Sequence, residues 1–404
     1  MVGNANSGKS TLVGILVNSK YITSMDLGKK YPEEYDEKLI LQDLDDGNGS
    51  ARSTVMRFRH EIETGKTSSV TYNHFSCQKN IVTLVDLAGQ EKYLKTTIRG
   101  VSSSYPDYGI VLVEKAITKM TKEHIMLLAV LKIPFCVLFT KSDIYKDQIE
   151  ANMATVTRYL HANRMKHILV KSCDDMIYQN LASPFMVPYI VMSNKTGEGF
   201  DKLMQLFNCI EKRKSKMIPT AFVIDSIYNV DGYGLIVAGI SGISIAKNDE
   251  VFVGNFSCVK GGFIKTKVKT MHDDYRNFID VLPVGSRGCL CIKLPSGLKK
   301  RLYPGMIVVK KINDVITNFN AQIRIFGSGS CTIKPGYCAY INMGCISCSI
   351  KIVKLSKRGK EVNYARCGDV LDAELMFQKN AYYVVPDTLF VFREGRTIGF
   401  GKVC

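Results

Sequence analysis

The 404-residue sequence has no apolar run of the roughly 18 residues that a spanning helix needs, so no transmembrane helix is expected. Its opening residues do not fit a secretory leader either. The thirteen cysteines, an odd number, show no repeating framework. Without a leader they read as reduced thiols, and the expected location is the cytoplasm. Two short pairs, Cys289-Leu290-Cys291 and Cys345-Ile346-Ser347-Cys348, lack a second pair or a histidine close by in sequence. Both lie in strand-like stretches where small thiols pack well, and zinc ligation is the weaker reading. Histidine is scarce, with six scattered residues, and His60 and His124 read as structural. No internal repeat, low-complexity tract or basic tail stands out.

What the chain does have is length and positive charge. Its length predicts two or three domains with substantial cores. Against 37 acidic side chains stand 54 basic ones, a formal charge of +17 spread along the chain. A diffuse positive surface suits a polyanion such as RNA. A basic cytosolic protein with no such partner has the same composition, so charge leaves both open.

The rest of the sequence is organised around Gly3-Asn4-Ala5-Asn6-Ser7-Gly8-Lys9-Ser10-Thr11. Four residues separate the two glycines, and Lys-Ser follows at the start of a predicted helix over 11–19. That is the phosphate-binding loop pattern. Glycines let backbone N–H groups turn onto a triphosphate, which a side chain would block. Lys9 would reach the β- and γ-phosphates, and the Ser10 hydroxyl would sit on Mg²⁺. Asn4, Ala5, Asn6, Ser7, Gly8, Lys9, Ser10 and Thr11 are the expected phosphate contacts, aided by the helix dipole. Only Met1 and Val2 precede the loop, where a strand of about 5–6 residues is usual. Either a short stub strand suffices, or the coding start lies further upstream.

Downstream, residues 21–50 are polar and read as a long mobile connection outside the core. It leads to Arg57-Phe58-Arg59-His60-Glu61-Ile62-Glu63-Thr64-Gly65-Lys66-Thr67. Thr67 is the candidate for a second hydroxyl on Mg²⁺, with Thr64 as its competitor. Residues 70–75 and 80–85 read as neighbouring strands. The second ends in Asp86-Leu87-Ala88-Gly89-Gln90, where Asp86 would hold a Mg²⁺-bound water and the Gly89 N–H would meet the γ-phosphate. Gln90 then falls where an attacking water must be positioned. Strands at 109–113, 135–139 and 189–192 alternate with helices, which predicts a mostly parallel sheet with its ligand at the strand ends. Thr140-Lys141-Ser142-Asp143 closes one strand, and the Asp143 carboxylate can take the N1–H and N2–H donors of guanine, a pair that adenine lacks. Ser193-Asn194-Lys195-Thr196 closes another, with backbone N–H groups for the guanine oxygen.

A charged linker, Lys212-Arg213-Lys214-Ser215-Lys216, precedes a change of texture. Short β-branched runs at 222–225, 234–238, 251–254 and 267–271 are broken by turn residues, as in an all-β barrel. A short connection at 312–319 precedes a second all-β module.

In their order and spacing, these motifs resemble the signature of the translational GTPases, the elongation factor Tu/1-alpha superfamily. Segments 57–69, 86–97 and 120–124 are similar to the branch called GTP-binding protein 1 and 2. Residues 222–242 and 301–309 resemble the second domain of elongation factor Tu, and 390–399 the end of its third. The resemblance implies an α/β P-loop GTPase domain at 1–216, a mostly parallel sheet with flanking helices. Two all-β barrels would follow at 217–317 and 318–404. It implies GTP and GDP as ligands, Mg²⁺ at Ser10, Thr67 and Asp86, and Gln90 as the catalytic residue. Guanine would meet Thr140, Lys141, Asp143, Ser193, Asn194 and Lys195. A monomer away from membranes, with the ribosome and tRNA or other RNA as partners, is the expected setting.

Four positions depart from that pattern. Thr140 stands where Asn is commoner, and Gln90 where translational GTPases usually carry His. Ala5 replaces the larger apolar residue that commonly screens that His. Asn6 stands where Asp is common, and either offers an oxygen to K⁺ or only fixes the loop. The expected function is a Mg²⁺-dependent GTP-hydrolysing switch in translation. Its alternatives are a GTPase of RNA turnover and a GTP-dependent scaffold with little hydrolysis.

Overall fold

A computed structural model describes residues 1–22, 38–41, 44–172, 183–213, 219–326, 332–395 and 397–404. Most of the expected connection at 21–50, Lys214-Ser215-Lys216 of the linker and the 216/217 boundary lie outside the described residues. Contacts divide the chain into two units, Met1–Gly100 with Pro106–Arg213, and Val101–Tyr105 with Lys214–Cys404.

The first unit opens with β1 (Val2–Gly3), α1 (Lys9–Asn18), β2 (Lys20–Ile22), β3 (Lys38–Ile40), α2 (Ser50–Ser53) and α3 (Arg59–Thr64). It continues with β4 (Thr71–Ser76), β5 (Ile81–Asp86), α4 (Leu94–Ser104, its residues from Val101 on counted with the second unit), β6 (Gly109–Val113) and α5 (Lys119–Val130). Its last elements are β7 (Phe135–Phe139), α6 (Ser142–Ala162), β8 (Lys166–Leu169), β9 (Met186–Val191) and α7 (Phe200–Cys209). Five strands form a parallel sheet in the order β1-β6-β7-β9-β8. Gly-Ile-Val-Leu-Val in β6 and Phe-Cys-Val-Leu-Phe in β7 are buried throughout. Such unbroken apolar runs fit a parallel sheet covered on both faces. Alternate residues Ile110, Leu112, Cys136, Leu138 and Ile190 join Leu12, Ile15 and Leu16 of α1 and Leu203 and Phe207 of α7 in one cluster. This fixes α1 against the sheet and so sets the loop before it at the strand ends.

β4 and β5 form an antiparallel hairpin in which Thr71 faces Asp86. The stretch expected to be connection only is more structured than that. Its start pairs with residues 38–40, β2 with β3, and Leu41 and Leu44 pack partly buried against the core cluster. Their apolar side chains are what the polar composition of the segment conceals.

In the second unit, two rings of six antiparallel strands each close among the described residues. The first runs Glu250–Gly254, Ile307–Val309, Phe222–Val230, Gly234–Ser241, Arg287–Ile292 and Phe263–Asp273, and back to Glu250–Gly254. The second runs Cys338–Met343, Leu389–Glu394, Thr397–Val403, Asn318–Phe326, Val370–Phe377 and Ile346–Lys357, and back to Cys338–Met343. Alternation places Leu235, Val237, Leu290 and Ile292 inside the first ring and Ala321, Ile323, Ile325 and Leu371 inside the second. The barrels meet where Asn255 Nδ2 donates to Ala381 O at 3.1 Å and Tyr303 stands edge-on to Tyr382. That shared surface explains why two barrels form one unit.

Candidate active site

The loop leaving β1 makes a tight turn before α1. Ser7 donates to Asn4 O through its N–H at 3.3 Å and its hydroxyl at 2.9 Å. Gly8 caps α1 with φ 85°, a conformation that a side chain disfavours. The first N–H groups of α1 have no intrahelical acceptor and face the loop. Lys9 folds back across it, its Nζ donating to Gly3 O at 3.0 Å and Asn4 O at 2.8 Å. Ala5 is half-buried, Thr11 is buried within α1 and Asn6 is the exposed corner of the turn.

Three distant parts of the chain converge beside Lys9. Ser10 Oγ donates to Asp86 Oδ2 at 2.7 Å and lies 2.8 Å from Thr67 Oγ1. Thr64, the competing candidate, instead donates to His60 O at 2.6 Å within α3. Asp86 is buried, and its Oδ1 has no hydrogen-bond partner among the described residues. Two hydroxyls and a carboxylate with a vacant buried oxygen form the hard-oxygen donor set that Mg²⁺ prefers, so these residues fit the ion. Burial pushes the Lys9 ammonium down from its ordinary pKa and the Asp86 carboxyl up, and each charge partly offsets the shift of the other. His124 is fully buried nearby, and burial takes its pKa down to about 3, so it stays neutral.

Gly89 brings the end of β5 onto the loop. A Cβ there would lie 2.5 Å from Lys9 Nζ, 2.7 Å from Gly3 O and 2.8 Å from Ala5 N. Only glycine allows that approach. Thr97 Oγ1 donates to Ala88 O at 2.7 Å and holds the turn. Gln90 comes next, half-buried, at the start of a single helical turn over Glu91–Tyr93.

A residue that sequence reasoning missed fastens Thr67. Glu61 Oε1 accepts the N–H and hydroxyl of Ser68 and those of Ser69, at 2.7 to 3.1 Å. Burial alone would raise the Glu61 pKa, but these four donors outweigh it and hold the carboxyl below its ordinary value. The signal was present in sequence as an acid six residues before Thr67, with two serines after it.

Asp143 is the second residue of α6 and accepts from Ser193 Oγ at 2.5 Å. The same Ser193 oxygen accepts from Lys195 N and Thr196 N at 3.1 and 3.2 Å. Thr140 Oγ1 donates to Ser7 O at 3.0 Å, and Asn194 Nδ2 to Gly8 O at 3.1 Å. Lys141, at φ 60°, pairs with Glu114 at 2.7 Å. Ser142 Oγ reaches Glu198 at 2.5 Å. Glu114, Ser142 and Glu198 were not singled out from sequence. One group gathers around Lys9, Ser10, Thr67 and Asp86 and another around Asp143 and Ser193, and Thr140 and Asn194 reach from the second group to the loop at Ser7 and Gly8.

Residues 1–212 match the family model of the elongation factor Tu GTP binding domain. The chain belongs to this family of GTPases. Among its relatives is GTP-binding protein 1 of Xenopus laevis, 31% identical over the whole chain, which spans 62% of that protein's length. Among solved structures, a bacterial selenocysteine-specific elongation factor matches 99% of this chain and 56% of its own. Its TM-score is 0.69 at 17% identity. The Ski7 GTPase-like domain of S. cerevisiae, solved with GTP, matches all of this chain and 95% of its own, with TM-score 0.68 and 15% identity. These similarities give the elongation-factor fold, a P-loop GTPase domain followed by two barrels, for the whole chain. The single hydroxyl of Thr140 is spent on the Ser7 carbonyl.

Proposed function

We propose that the chain is a Mg²⁺-dependent switch that binds GTP, hydrolyses it to GDP and phosphate, and engages the ribosome with tRNA or another RNA. The observation that carries this reading is the convergence of Ser10, Thr67 and Asp86 beside Lys9. Backbone N–H groups of residues 4–11 and Lys9 would hold the phosphates, and the Gly89 N–H the γ-phosphate. Asp143, with Ser193 orienting it, would take the guanine N1–H and N2–H. The Asn194 N–H, left over when Lys195 N and Thr196 N bond Ser193, would meet the guanine oxygen. Mg²⁺ held by Ser10, Thr67 and Asp86 would neutralise charge on the β- and γ-phosphates. Gln90 would orient a water whose oxygen attacks the γ-phosphorus. The bond from that phosphorus to the GDP oxygen breaks, and the water's proton ends on the released phosphate. In support of a division at 317/318, the strand Asn318–Phe326 opens the second barrel.

Single-turnover hydrolysis of GTP by the purified chain, with and without ribosomes, tests both halves of the reading. Hydrolysis that ribosomes accelerate supports it. Hydrolysis indifferent to ribosomes moves the chain to a pathway such as RNA turnover, and tight GTP binding without hydrolysis makes it a scaffold.

A further inference from the structure

Thr140 and Asn194 sit on different strand ends, yet both reach the backbone of the phosphate loop. Thr140 is buried and its hydroxyl takes Ser7 O. Asn194 is 7% exposed, and its Nδ2 donates to Gly8 O, the carbonyl that also accepts Leu12 N to begin the α1 ladder. The amide orientation is not arbitrary. Turned over, its oxygen would face another oxygen at 3.1 Å. A Cβ on Gly8 would lie 2.9 Å from Nδ2, so the carboxamide is seated against the loop itself. Asn194 also works outward, because its backbone oxygen accepts Asp45 N at 3.0 Å. Leu41 Cδ1 would lie 3.3 Å from a Cβ on Gly197, so the segment before the switch rests on the same guanine loop.

We propose that Asn194 is a positioning residue for nucleotide binding, whose side-chain amide ties the guanine loop to the phosphate loop. Position 140 keeps one hydroxyl, and the donor that a carboxamide there would supply comes from position 194. The base and phosphate halves of the pocket are thereby held at a set spacing before the nucleotide arrives, which lowers the cost of binding. The proposal rests on the reading that this pocket takes guanine nucleotides.

The test is stopped-flow binding of a fluorescent GDP to the full chain. Binding by the parent comes first, and a parent that does not bind overturns the functional reading itself. Given binding, Asn194→Asp, which keeps the shape but loses the donor, should raise Kd at least about tenfold, the loss of one buried hydrogen bond with its acceptor left behind. Asn194→Ala should do the same, mainly through faster release. Thr140→Asn added to Asn194→Ala should recover most of the affinity, which a merely structural role for Asn194 would not allow. Unchanged affinity in Asn194→Asp, or no recovery in the folded double variant, overturns the proposal. If the Asn194 variants lose their melting transition, hydrogen exchange of the nucleotide-free parent decides. Backbone amides of residues 5–9 already protected before GDP is added support the tether, and amides that exchange freely until GDP is added overturn it.

Discussion

Glu61 accepts both the N–H and the hydroxyl of Ser68 at 2.7 Å, one residue beyond the threonine that meets Ser10. The latch ties the segment to α3 through its own side chains. Hydrogen bonds to a charged group are worth about 1.5–3 kcal/mol when broken. Glu61→Ala should therefore free the segment and expose Lys66 to trypsin even with a non-hydrolysable GTP analogue bound. Because its carboxyl is held below the ordinary 4.5, its contribution is full above that pH and is lost as the pH falls through the lowered value. A hydrogen-exchange series from pH 6 downward should show protection at Ser68 and Ser69 in the parent falling below the carboxylate range. Equal protection in Glu61→Ala at pH 6 would remove the latch.

Thr67→Ala should leave GDP affinity nearly unchanged and abolish the GTP-dependent change in protease sensitivity of residues 45–67. Thr64→Ala, whose hydroxyl serves its own helix, should change neither GDP affinity nor that protease pattern. The reverse result would shift the register by three residues.

Asp143→Asn should move preference from GTP toward xanthosine triphosphate, since the amide offers a donor where the carboxylate offered an acceptor. Competition between the two nucleotides reads it directly. Unaltered ranking would place the base elsewhere. With Thr140 giving one hydroxyl to Ser7, losing a paired hydrogen bond, worth about 1–3 kcal/mol, should register as weaker GTP binding as well.

Gln90→Leu should slow single-turnover hydrolysis at least about tenfold, roughly 1.4 kcal/mol of barrier, while GTP affinity is retained. A parent-like rate would remove Gln90 from catalysis and favour the scaffold reading.

The pocket was legible because its chemistry restricts residue types. A carboxylate closing β5, a Lys-Ser at a helix start and Asp143 behind a buried strand leave few alternatives. The supporting structure was less legible. α3 is six residues with one buried acid, Glu61, and by composition it looks like polar loop. α6 runs through Tyr145 with non-helical φ/ψ and begins at Lys141 in a left-handed conformation, so helical spacing is interrupted where the helix starts. Leu41 ends the short apolar triplet Leu39-Ile40-Leu41 and Leu44 stands between acids, and only their contacts with the core distinguish them. The tie from Asn194 to Gly8 joins residues 186 positions apart, a relation that local pattern does not carry.

Each barrel is a sheet without ends. Its six strands have partners on both sides along part of their length. Closure removes the two long free edges that an open sheet would offer to an extended peptide or to a second copy of the chain. What it leaves are short stretches such as residues 227–230, which pair with 234–237 on one side only, too brief a template for a growing fibril.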